Sequence, residues 1–279
     1  MSYSITKETV APLIRMALEE DIAGCDVTSE AIFDGSEHTK AAITAKQDGI
    51  LCGAQLVAFA YEMIDPSVKV DIRLPEGKRV KKGDVAVVIE GSTKSILMGE
   101  RTALNFFQRM SGIATKTASI VSLVEGSTIR ILDTRKTLPG FRLLDKYSVK
   151  TGGGQNHRIG LYDMVMIKDN HIAAAGSITA AVRKVREKWA DRFRIEVETT
   201  TLDEVQEALA SNADIIMLDN MTTPVMEEAA RIIAGKAQIE ISGNMNEARI
   251  REVKHIPIDF ISIGALTHSV EAFDWSMRF

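Results

Sequence analysis

The second half of the chain repeats one pattern, a short run of β-forming residues followed by a helical stretch. The runs read, in chain order, TIRILDT, DMVMIKDN, RFRIEVET, ADIIMLDN, AQIEISGN and DFISIGAL. The stretches between them include SITAAVRKVREKWA, TLDEVQEALASNA and TTPVMEEAARIIAG, in which apolar residues recur at helical spacing and a Ser or Thr can cap the start. Strands alternating with helices predict βα units around a parallel sheet, either a barrel or an open doubly wound sheet.

Chemically reactive side chains follow these runs at their C-terminal ends. They are Arg135, Lys136, Lys168, Asp219, Ser242 and Asn244, with a glycine turn at Gly264–Ala265 after the last run. In βα barrels this edge of the sheet is where active sites are built, because the βα loops converge there on a rigid scaffold. The pattern therefore predicts an active site at the mouth of the sheet.

The run RIEVE indicates which side chains share a face of its strand. Successive residues of a strand point to opposite faces, so Glu196 and Glu198 share one face while Ile195 and Val197 share the other. Two acids on one face and two apolar residues on the other predict that the acidic face lines a wet interior.

Residues 133–158 hold a high density of basic side chains beside backbone breakers. The basic residues are Arg135, Lys136, Arg142, Lys146, Lys150, His157 and Arg158, and the breakers are Pro139-Gly140 and Gly152–Gly154. The whole chain carries a net charge of -4 and only 5% aromatic residues, which argues against nucleic acid as the partner. Converging cations instead predict a small, highly anionic ligand, because they hydrogen-bond carboxylate and phosphate oxygens.

Two further groups would complete such a site. The turns Ser242–Asn244 and Gly264–Ala265 end the last two runs, where barrels commonly bind a phosphate with loop amides. Glu198 and Asp219 can serve as counter-ions, or can bind ribose hydroxyls and an Mg²⁺ ion that substrate phosphates also hold. The sequence predicts neither a dedicated metal cage nor a covalent nucleophile, and its two cysteines are expected to be structural.

Residues 1–112 follow a different pattern and are predicted to form an N-terminal domain, with 113–279 as the second domain. Helices are indicated over TKETVAPLIRMALEED and SILMGERTALNFFQRMSGIAT, with short strands between them. The segment VKKGDVAVVIEG resembles half of a lipoyl or biotin carrier but lacks the modifiable lysine turn, so a structural hairpin is expected. No apolar run could span a bilayer and no signal-peptide order is present, which predicts a cytoplasmic protein without a membrane partner.

As a set, these motifs resemble the quinolinate phosphoribosyltransferase family. The resemblance rests on EDIAGCDVTSEAIF, GERTALNFFQRMSGIAT, DTRKTLPGFRLLDKYSVKTGGGQNHR, MIKDNHI, IEVE, LDN, ISGN and SIGALTHS, which follow the family's order over almost the whole chain. It implies a type II phosphoribosyltransferase fold of the α/β class, with an N-terminal α+β sandwich and a C-terminal open α/β barrel. In that fold the extreme C-terminus can pack back on the sandwich.

The resemblance also implies a reaction and a set of site residues. Phosphoribosyl pyrophosphate would donate its phosphoribosyl group to quinolinate, and decarboxylation would give nicotinate mononucleotide, CO₂ and pyrophosphate in NAD biosynthesis. The residues implied to bind substrate are Arg101, Thr134, Arg135, Lys136, His157, Arg158, Lys168, Glu198, Asp219, Ser242, Gly243, Asn244, Ile263, Gly264 and Ala265, with Lys136, Lys168, Glu198 and Asp219 also catalytic.

The same resemblance implies partners. Mg²⁺ would arrive with phosphoribosyl pyrophosphate and contact Glu198 and Asp219. Arg101 would reach the site of a neighbouring subunit, in a homodimer with shared active sites or a higher homo-oligomer.

Three alternatives remain open from the sequence. A relative acting on another pyridine or pyrimidine acid, such as the paralogue associated with molybdenum transport, shares much of the pattern. A phosphate-binding βα-barrel isomerase or decarboxylase explains the glycine turns and Lys168, but it leaves Arg101, Arg135 and Arg158 without a role. A non-catalytic carrier module is suggested by VKKGDVAVVIEG alone.

Overall fold

A computed structural model describes residues 5–279, which form two compact units. The first unit comprises the residues up to Ala118 with Leu138–Gly153 and Leu266–Phe279, and the second comprises Ser119–Thr137 and Gly154–Ala265. Helices accompany antiparallel strands in the first unit and a parallel sheet in the second. The predicted α/β class is therefore confirmed.

The bounds of the regular elements in residues 5–279 are as follows. The helices are α1 (Lys7–Ile22), α2 (Val27–Ile32), α3 (Ala54–Ile64), α4 (Thr93–Ser122), α5 (Arg142–Thr151), α6 (Asp169–Ala175), α7 (Ile178–Trp189), α8 (Leu202–Ala210), α9 (Thr223–Ile233), α10 (Glu247–Val253) and α11 (Ala265–His268). The strands are β1 (His38–Ala45), β2 (Gly49–Ile50), β3 (Lys69–Ile72), β4 (Arg79–Val80), β5 (Val85–Ser92), β6 (Arg130–Leu132), β7 (Val165–Ile167), β8 (Ile195–Thr199), β9 (Ile215–Asp219), β10 (Gln238–Ser242), β11 (Phe260–Ser262) and β12 (Trp275–Arg278). No helix in this part of the chain is long and apolar enough to cross a membrane.

The second unit is built on a six-stranded parallel sheet in the order β6-β11-β10-β9-β8-β7. Each of the repeating runs in the sequence forms one of these strands, as predicted. Within this sheet β11, its last strand in the chain, pairs with β6, its first. The described strands β6 and β7 lie at the two ends of the order and do not pair with each other, so the barrel is open. Pairs such as Ser242 with Asp219 bring the carboxyl ends of the strands to one edge.

Helices α7, α8 and α9 begin at the residues that the sequence predicts as caps. Ser177 accepts the N–H of Ala180 at the start of α7, and Thr201 forms a capping box with Glu204 at the start of α8. Thr222 holds the N-cap position of α9, although its side chain makes no capping hydrogen bond. The capping hydrogen bonds of Ser177 and Thr201 thus mark where α7 and α8 begin.

Alternation along the strands separates an outer from an inner face of the barrel. On the outer face, residues such as Val197 are fully buried. On the inner face, Leu132, Ile215 and Phe260 form a small apolar cluster with Met164. This cluster fills part of the barrel interior with apolar side chains.

The first unit combines a four-stranded antiparallel sheet, in the order β12-β1-β5-β3, with the pair β2-β4. Its core is one large apolar cluster in which the rings of Phe107 and Trp275 stack with their centroids 4.4 Å apart. Stacked aromatic rings of this size dominate the burial energy of such a core.

The prediction of a hairpin over VKKGDVAVVIEG is wrong, because the two strands of this segment, β4 and β5, do not pair with each other. Strand β4 pairs with β2, whereas β5 pairs with β1 and β3. The turn between them bonds instead to Ala45 of β1, whose carbonyl accepts the Gly83 N–H at 2.8 Å and whose N–H donates to Asp84 at 2.9 Å. Because β1 takes the hydrogen bonds of the turn, β4 and β5 separate into two sheets.

The sequence predicts a single domain boundary, after residue 112. In the structure each compact unit is instead built from segments that alternate along the chain. Arg109 on α4 gives one physical reason. Its guanidinium donates two hydrogen bonds to the buried carboxylate of Asp145, at 2.9 and 2.8 Å, and one to the carbonyl of Thr267 at 3.2 Å. Together with the pairing of β12 with β1, these contacts attach residues 138–153 and 266–279 to the first unit.

Gly112 lies where α4 contacts the C-terminal segment of the first unit. A Cβ atom at this position would lie 2.1 Å from the carbonyl oxygen of Glu271. We expect Gly112→Ala to lower the free energy of unfolding by about 1–3 kcal/mol, because backbone must move. Thermal unfolding followed by circular dichroism measures this. Gly24→Ala is the control, since no atom lies within 4 Å of its added Cβ. An unchanged Tm for Gly112→Ala would contradict the packing described.

Candidate active site

A cavity of about 560 Å³ opens at the carboxyl ends of the strands in the second unit. It is lined by Thr134, Arg135, Lys136, His157, Arg158, Met166, Lys168, Glu198, Met217, Asp219, Asn220, Glu240, Ser242, Gly243, Asn244 and Ser262. The structure therefore brings most of the residues expected from the sequence to one place. The cavity is also at the edge of the sheet where the sequence predicts it.

Two strand ends carry cations into this cavity. Arg135 and Lys136 follow β6 in a turn that Thr134 shapes, because its hydroxyl accepts the N–H of Lys136 at 3.0 Å. Lys168 follows β7 at the N-cap position of α6, and its ammonium group contacts the carboxylate of Glu198 on the next strand. Each cation is thus fixed by the turn directly after its strand.

Arg158 is nearly buried, with 9% of its surface exposed. Its Nη1 donates to the carbonyl of Met164 at 3.2 Å. Burial lowers the pKa of its guanidinium, the charge of Arg135 lowers it further, and the charge of Glu196 opposes both. Two guanidinium groups that repel each other in a partly buried site favour the binding of an anion.

Glu198 and Asp219 provide carboxylates on the neighbouring strands β8 and β9. The amide of Asn220 donates to Asp219 Oδ2 at 2.8 Å, and the amide of Asn244 donates to Asn220 Oδ1 at 3.1 Å. This chain of side chains ties the end of β10 to the end of β9. It therefore fixes the direction of the Asp219 carboxylate.

The turn after β10 depends on Gly243. Its φ is +94°, and a Cβ atom there would lie 2.2 Å from Asn220 Oδ1 and 2.8 Å from the Asn220 backbone nitrogen. Glycine is required because it adopts positive φ without strain and has no Cβ to clash. The main chain can consequently approach a ligand closely at this turn, as phosphate binding by loop amides requires.

Two glutamates, Glu196 on β8 and Glu240 on β10, are fully buried in the floor of the cavity. Nε2 of His157 lies 3.0 Å from Glu196 Oε2 and 3.5 Å from Glu240 Oε2. Burial is the main cause that raises the pKa of each carboxyl to about 8. The wet interior predicted for this face is wrong at Glu196, because the barrel closes around it, whereas the Glu198 side chain is 17% exposed.

Some predicted residues do not line the cavity. Ile263–Ala265 follow β11, and the N–H of Ile263 donates to the carbonyl of Leu132 at 3.0 Å. Arg101 belongs to the first unit, where its side chain is 62% exposed and lies 3.6 Å from Glu100. The basic residues of helix α5, at positions 142, 146 and 150, also belong to the first unit. The proposed roles of Arg101 and Ile263–Ala265 stay predictions.

The cavity also contains polar residues that the sequence analysis did not assign. They are Asn220, Glu240 and Ser262. Asn220 directly follows Asp219, and Glu240 precedes Ser242 by two residues, so strand alternation puts Glu240 and Ser242 on one face. The alternation that identified Glu196 would therefore have identified Glu240 as well.

Two family models match nearly the whole chain. The model described as the N-terminal domain of quinolinate phosphoribosyl transferase matches residues 26–111, and the model of its C-terminal domain matches residues 113–278.

Individual relatives agree with these models. The probable nicotinate-nucleotide pyrophosphorylase (carboxylating) of Bacillus subtilis is 42% identical over 258 residues, 92% of this chain and 89% of the relative. The chloroplastic nicotinate-nucleotide pyrophosphorylase (carboxylating) of Arabidopsis thaliana is 43% identical over 285 residues, 95% of this chain and 81% of the relative. The crystal structure of NadC from Streptococcus pyogenes matches with a TM-score of 0.95 and 40% identity, and covers 100% of this chain and 98% of that one.

The buried carboxyl of Glu240 leads to a pH-dependent prediction. Between its ordinary pKa of 4.5 and its folded pKa of about 8, the unfolded chain releases the proton while the folded protein keeps it. Wild-type stability therefore falls as pH rises through this window. Because glutamine cannot ionise, we expect Glu240→Gln to raise Tm by several degrees at pH 8.5, about 1–3 kcal/mol, and to change it little at pH 4.5.

Thermal melts across this pH range measure the difference between the two proteins. Glu125→Gln is the control, because the Glu125 side chain is exposed. A pH-independent difference between wild type and Glu240→Gln would contradict the raised pKa.

Proposed function

The chain belongs to the quinolinate phosphoribosyltransferase family, and on that premise we propose that it transfers phosphoribose from phosphoribosyl pyrophosphate to the ring nitrogen of quinolinate. Decarboxylation then gives nicotinate mononucleotide, CO₂ and pyrophosphate for NAD biosynthesis. The observation that carries the proposal is one cavity in which Arg135, Arg158 and Lys168 converge with Glu198 and Asp219. The family match favours this reaction over the carrier module and over the sugar-phosphate isomerase or decarboxylase.

Quinolinate presents two neighbouring carboxylates, which require cations held close together. Arg135 and Arg158 offer planar guanidinium groups that can each hold a carboxylate through two hydrogen bonds. Lys168 adds a third positive charge from β7, and Thr134 stands beside Arg135 in the same turn. A dianion relieves the repulsion between the two guanidinium groups, which supports their assignment to the pyridine substrate.

The second substrate needs contacts to its pyrophosphate, its ribose and its 5′-phosphate. Lys136 and Lys168 would face the pyrophosphate, and the turns Ser242–Asn244 and Ile263–Ala265 would hold the 5′-phosphate. Glu198 and Asp219 would bind the ribose hydroxyls. Their two carboxylates also suit Mg²⁺ carried by the substrate, because this ion takes few protein oxygens and keeps phosphate and water ligands.

The charges of the cavity fit the two chemical steps. When pyrophosphate leaves, positive charge develops at the anomeric carbon, where Glu198 and Asp219 stabilise it, while Lys136 and Lys168 stabilise the leaving group. The ribosylated ring nitrogen then carries a positive charge that stabilises the electron pair left on the neighbouring ring carbon by departing CO₂, and that carbon takes up a proton from solvent to give the product. The arginines need only hold the substrate in place and keep water away.

A direct assay tests this function. The protein is incubated with quinolinate, phosphoribosyl pyrophosphate and Mg²⁺, and nicotinate mononucleotide and CO₂ are measured by mass spectrometry. Product is expected only when all three are present. Absence of both products with the wild-type protein, under conditions in which the Bacillus subtilis relative produces them, would sink the proposal.

Replacement of Arg135 tests how the pyridine substrate is recognised. We expect Arg135→Lys to raise KM for quinolinate about 10- to 100-fold, because lysine keeps the charge but loses the two-pronged hydrogen bond. Steady-state kinetics measure the change. Arg183→Lys on α7 is the matched control, since the Arg183 side chain is 68% exposed on a helix surface. Equal KM values for the two variants would contradict the role given to Arg135.

We further propose a homodimer in which Arg101 completes the site of the partner. The 62% exposure of its side chain is compatible with this role. If Arg101→Ala and Lys168→Ala are each inactive, equal mixing gives half hybrid dimers with one intact site, and hence about a quarter of wild-type activity. Mixing Lys168→Ala with Glu198→Gln is the control and should restore nothing. No recovery of activity after verified subunit exchange would exclude shared active sites.

The cytoplasmic location stays a prediction.

A further inference from the structure

His157 makes contacts at both nitrogens of its ring. Nδ1 accepts the backbone N–H of Arg158 at 2.7 Å, while Nε2 lies 3.0 Å from Glu196 Oε2 and 3.5 Å from Glu240 Oε2. A peptide N–H can only donate, so Nδ1 has no proton and the ring proton is on Nε2. The protonated Nε2 therefore faces the pair of buried acids at short distance, although these contacts do not have the geometry of a hydrogen bond.

The same three residues have the ligand types of a metal centre, and their ligand atoms lie within 4.8 Å of one another. A metal-bound histidine almost always donates a hydrogen bond from its second ring nitrogen. Here the second nitrogen of His157 accepts one instead. The ring geometry consequently favours a proton, rather than a metal ion, between His157 and the acids.

The position of Glu196 and Glu240 in the barrel indicates that they interact with the ring of His157. Burying a carboxyl group costs free energy, and an apolar side chain would fill the same space at lower cost. On the neighbouring strands the inward positions are apolar, since Ile215 pairs with Glu196 and Phe260 pairs with Glu240. Acids take the place of apolar residues at the two inward positions that lie beside His157, which links them to that ring.

The ring of His157 is in turn linked to Arg158. The two residues are adjacent, and the hydrogen bond from the Arg158 N–H to Nδ1 ties the orientation of the ring to the backbone of Arg158. The backbone N–H of His157 also donates to the buried Asp133 at 2.9 Å. Fixing the ring therefore limits the directions in which the nearly buried guanidinium of Arg158 can point.

We propose that Glu196 and Glu240 are positioning residues that act through the His157 ring on Arg158, and so set the affinity for quinolinate. This inference rests on the proposed function. It assigns His157 a role different from the one expected from the sequence, because Nδ1 accepts a backbone N–H and Nε2 faces the two buried acids. His157 contributes to substrate binding by orienting Arg158, which holds a carboxylate of the pyridine.

Kinetics of three variants test this inference. Glu240→Leu removes one of the two acids that face Nε2, Glu240→Gln keeps its oxygen, and Thr199→Val removes a buried hydrogen bond to the Met217 carbonyl. We expect Glu240→Leu to raise KM for quinolinate about 10-fold or more and to leave KM for phosphoribosyl pyrophosphate within about twofold. Glu240→Gln should restore the quinolinate KM, and Thr199→Val should lower Tm without changing either KM.

Nitrogen NMR of the ring gives a readout that does not depend on activity. With ¹⁵N-labelled histidine, the wild-type His157 is expected to show a proton on Nε2 and none on Nδ1. In Glu240→Leu the Nε2 signal should shift, while Glu240→Gln should stay close to wild type. If the wild-type protein has this tautomer but makes no product, the proposed function fails and the geometry of the cluster stands.

Other outcomes would overturn the inference. A Glu240→Leu protein with an unchanged quinolinate KM would show that Glu240 does not act on Arg158 through His157. Equal rises in both KM values, with a loss of Tm like that of Thr199→Val, would show a general structural role. A proton on Nδ1, or a stoichiometric metal bound through Nε2, would exclude the proposed chain of contacts.

Discussion

The site depends on one constraint, which is that parallel strands of an open barrel alternate their side chains between an outer face and a shared interior. Wherever the inward positions are polar, charges of several strands meet in a small space with little water. Glu196 and Glu240 show the result, since burial raises the pKa of each to about 8. Each inward charge must therefore find a partner in the protein or in a ligand, and the partners found here define the cavity.

The cations of the cavity are arranged for a ligand more than for the folded protein itself. Arg135 lowers the pKa of Arg158, so these two guanidinium groups oppose one another. Lys168 contacts Glu198, which keeps a carboxylate beside the cations. Such a distribution favours an anion with two neighbouring carboxylates, which supports the proposal that quinolinate is the substrate.

Part of the fold and of the site could be predicted because the signals are local. Strand runs, caps such as Ser177 and Thr201, and reactive residues after each strand are all properties of short segments. The sequence predicts a hairpin at Lys81–Asp84, whereas this turn links two sheets. A hairpin and such a link have the same local pattern. Only the hydrogen bonds that Ala45 makes to that turn distinguish them.

The sequence by itself determined the order of strands and helices, the edge of the sheet that carries the chemistry, and the family to which the chain belongs. These features depend on periodicity and on motifs read along one segment at a time. Tertiary structure alone decided that Arg109 attaches Asp145 to the first unit, and that His157 contacts Glu196 and Glu240. Such contacts join residues far apart in the chain, and burial sets their protonation, so neither the partner nor its charge state follows from local pattern.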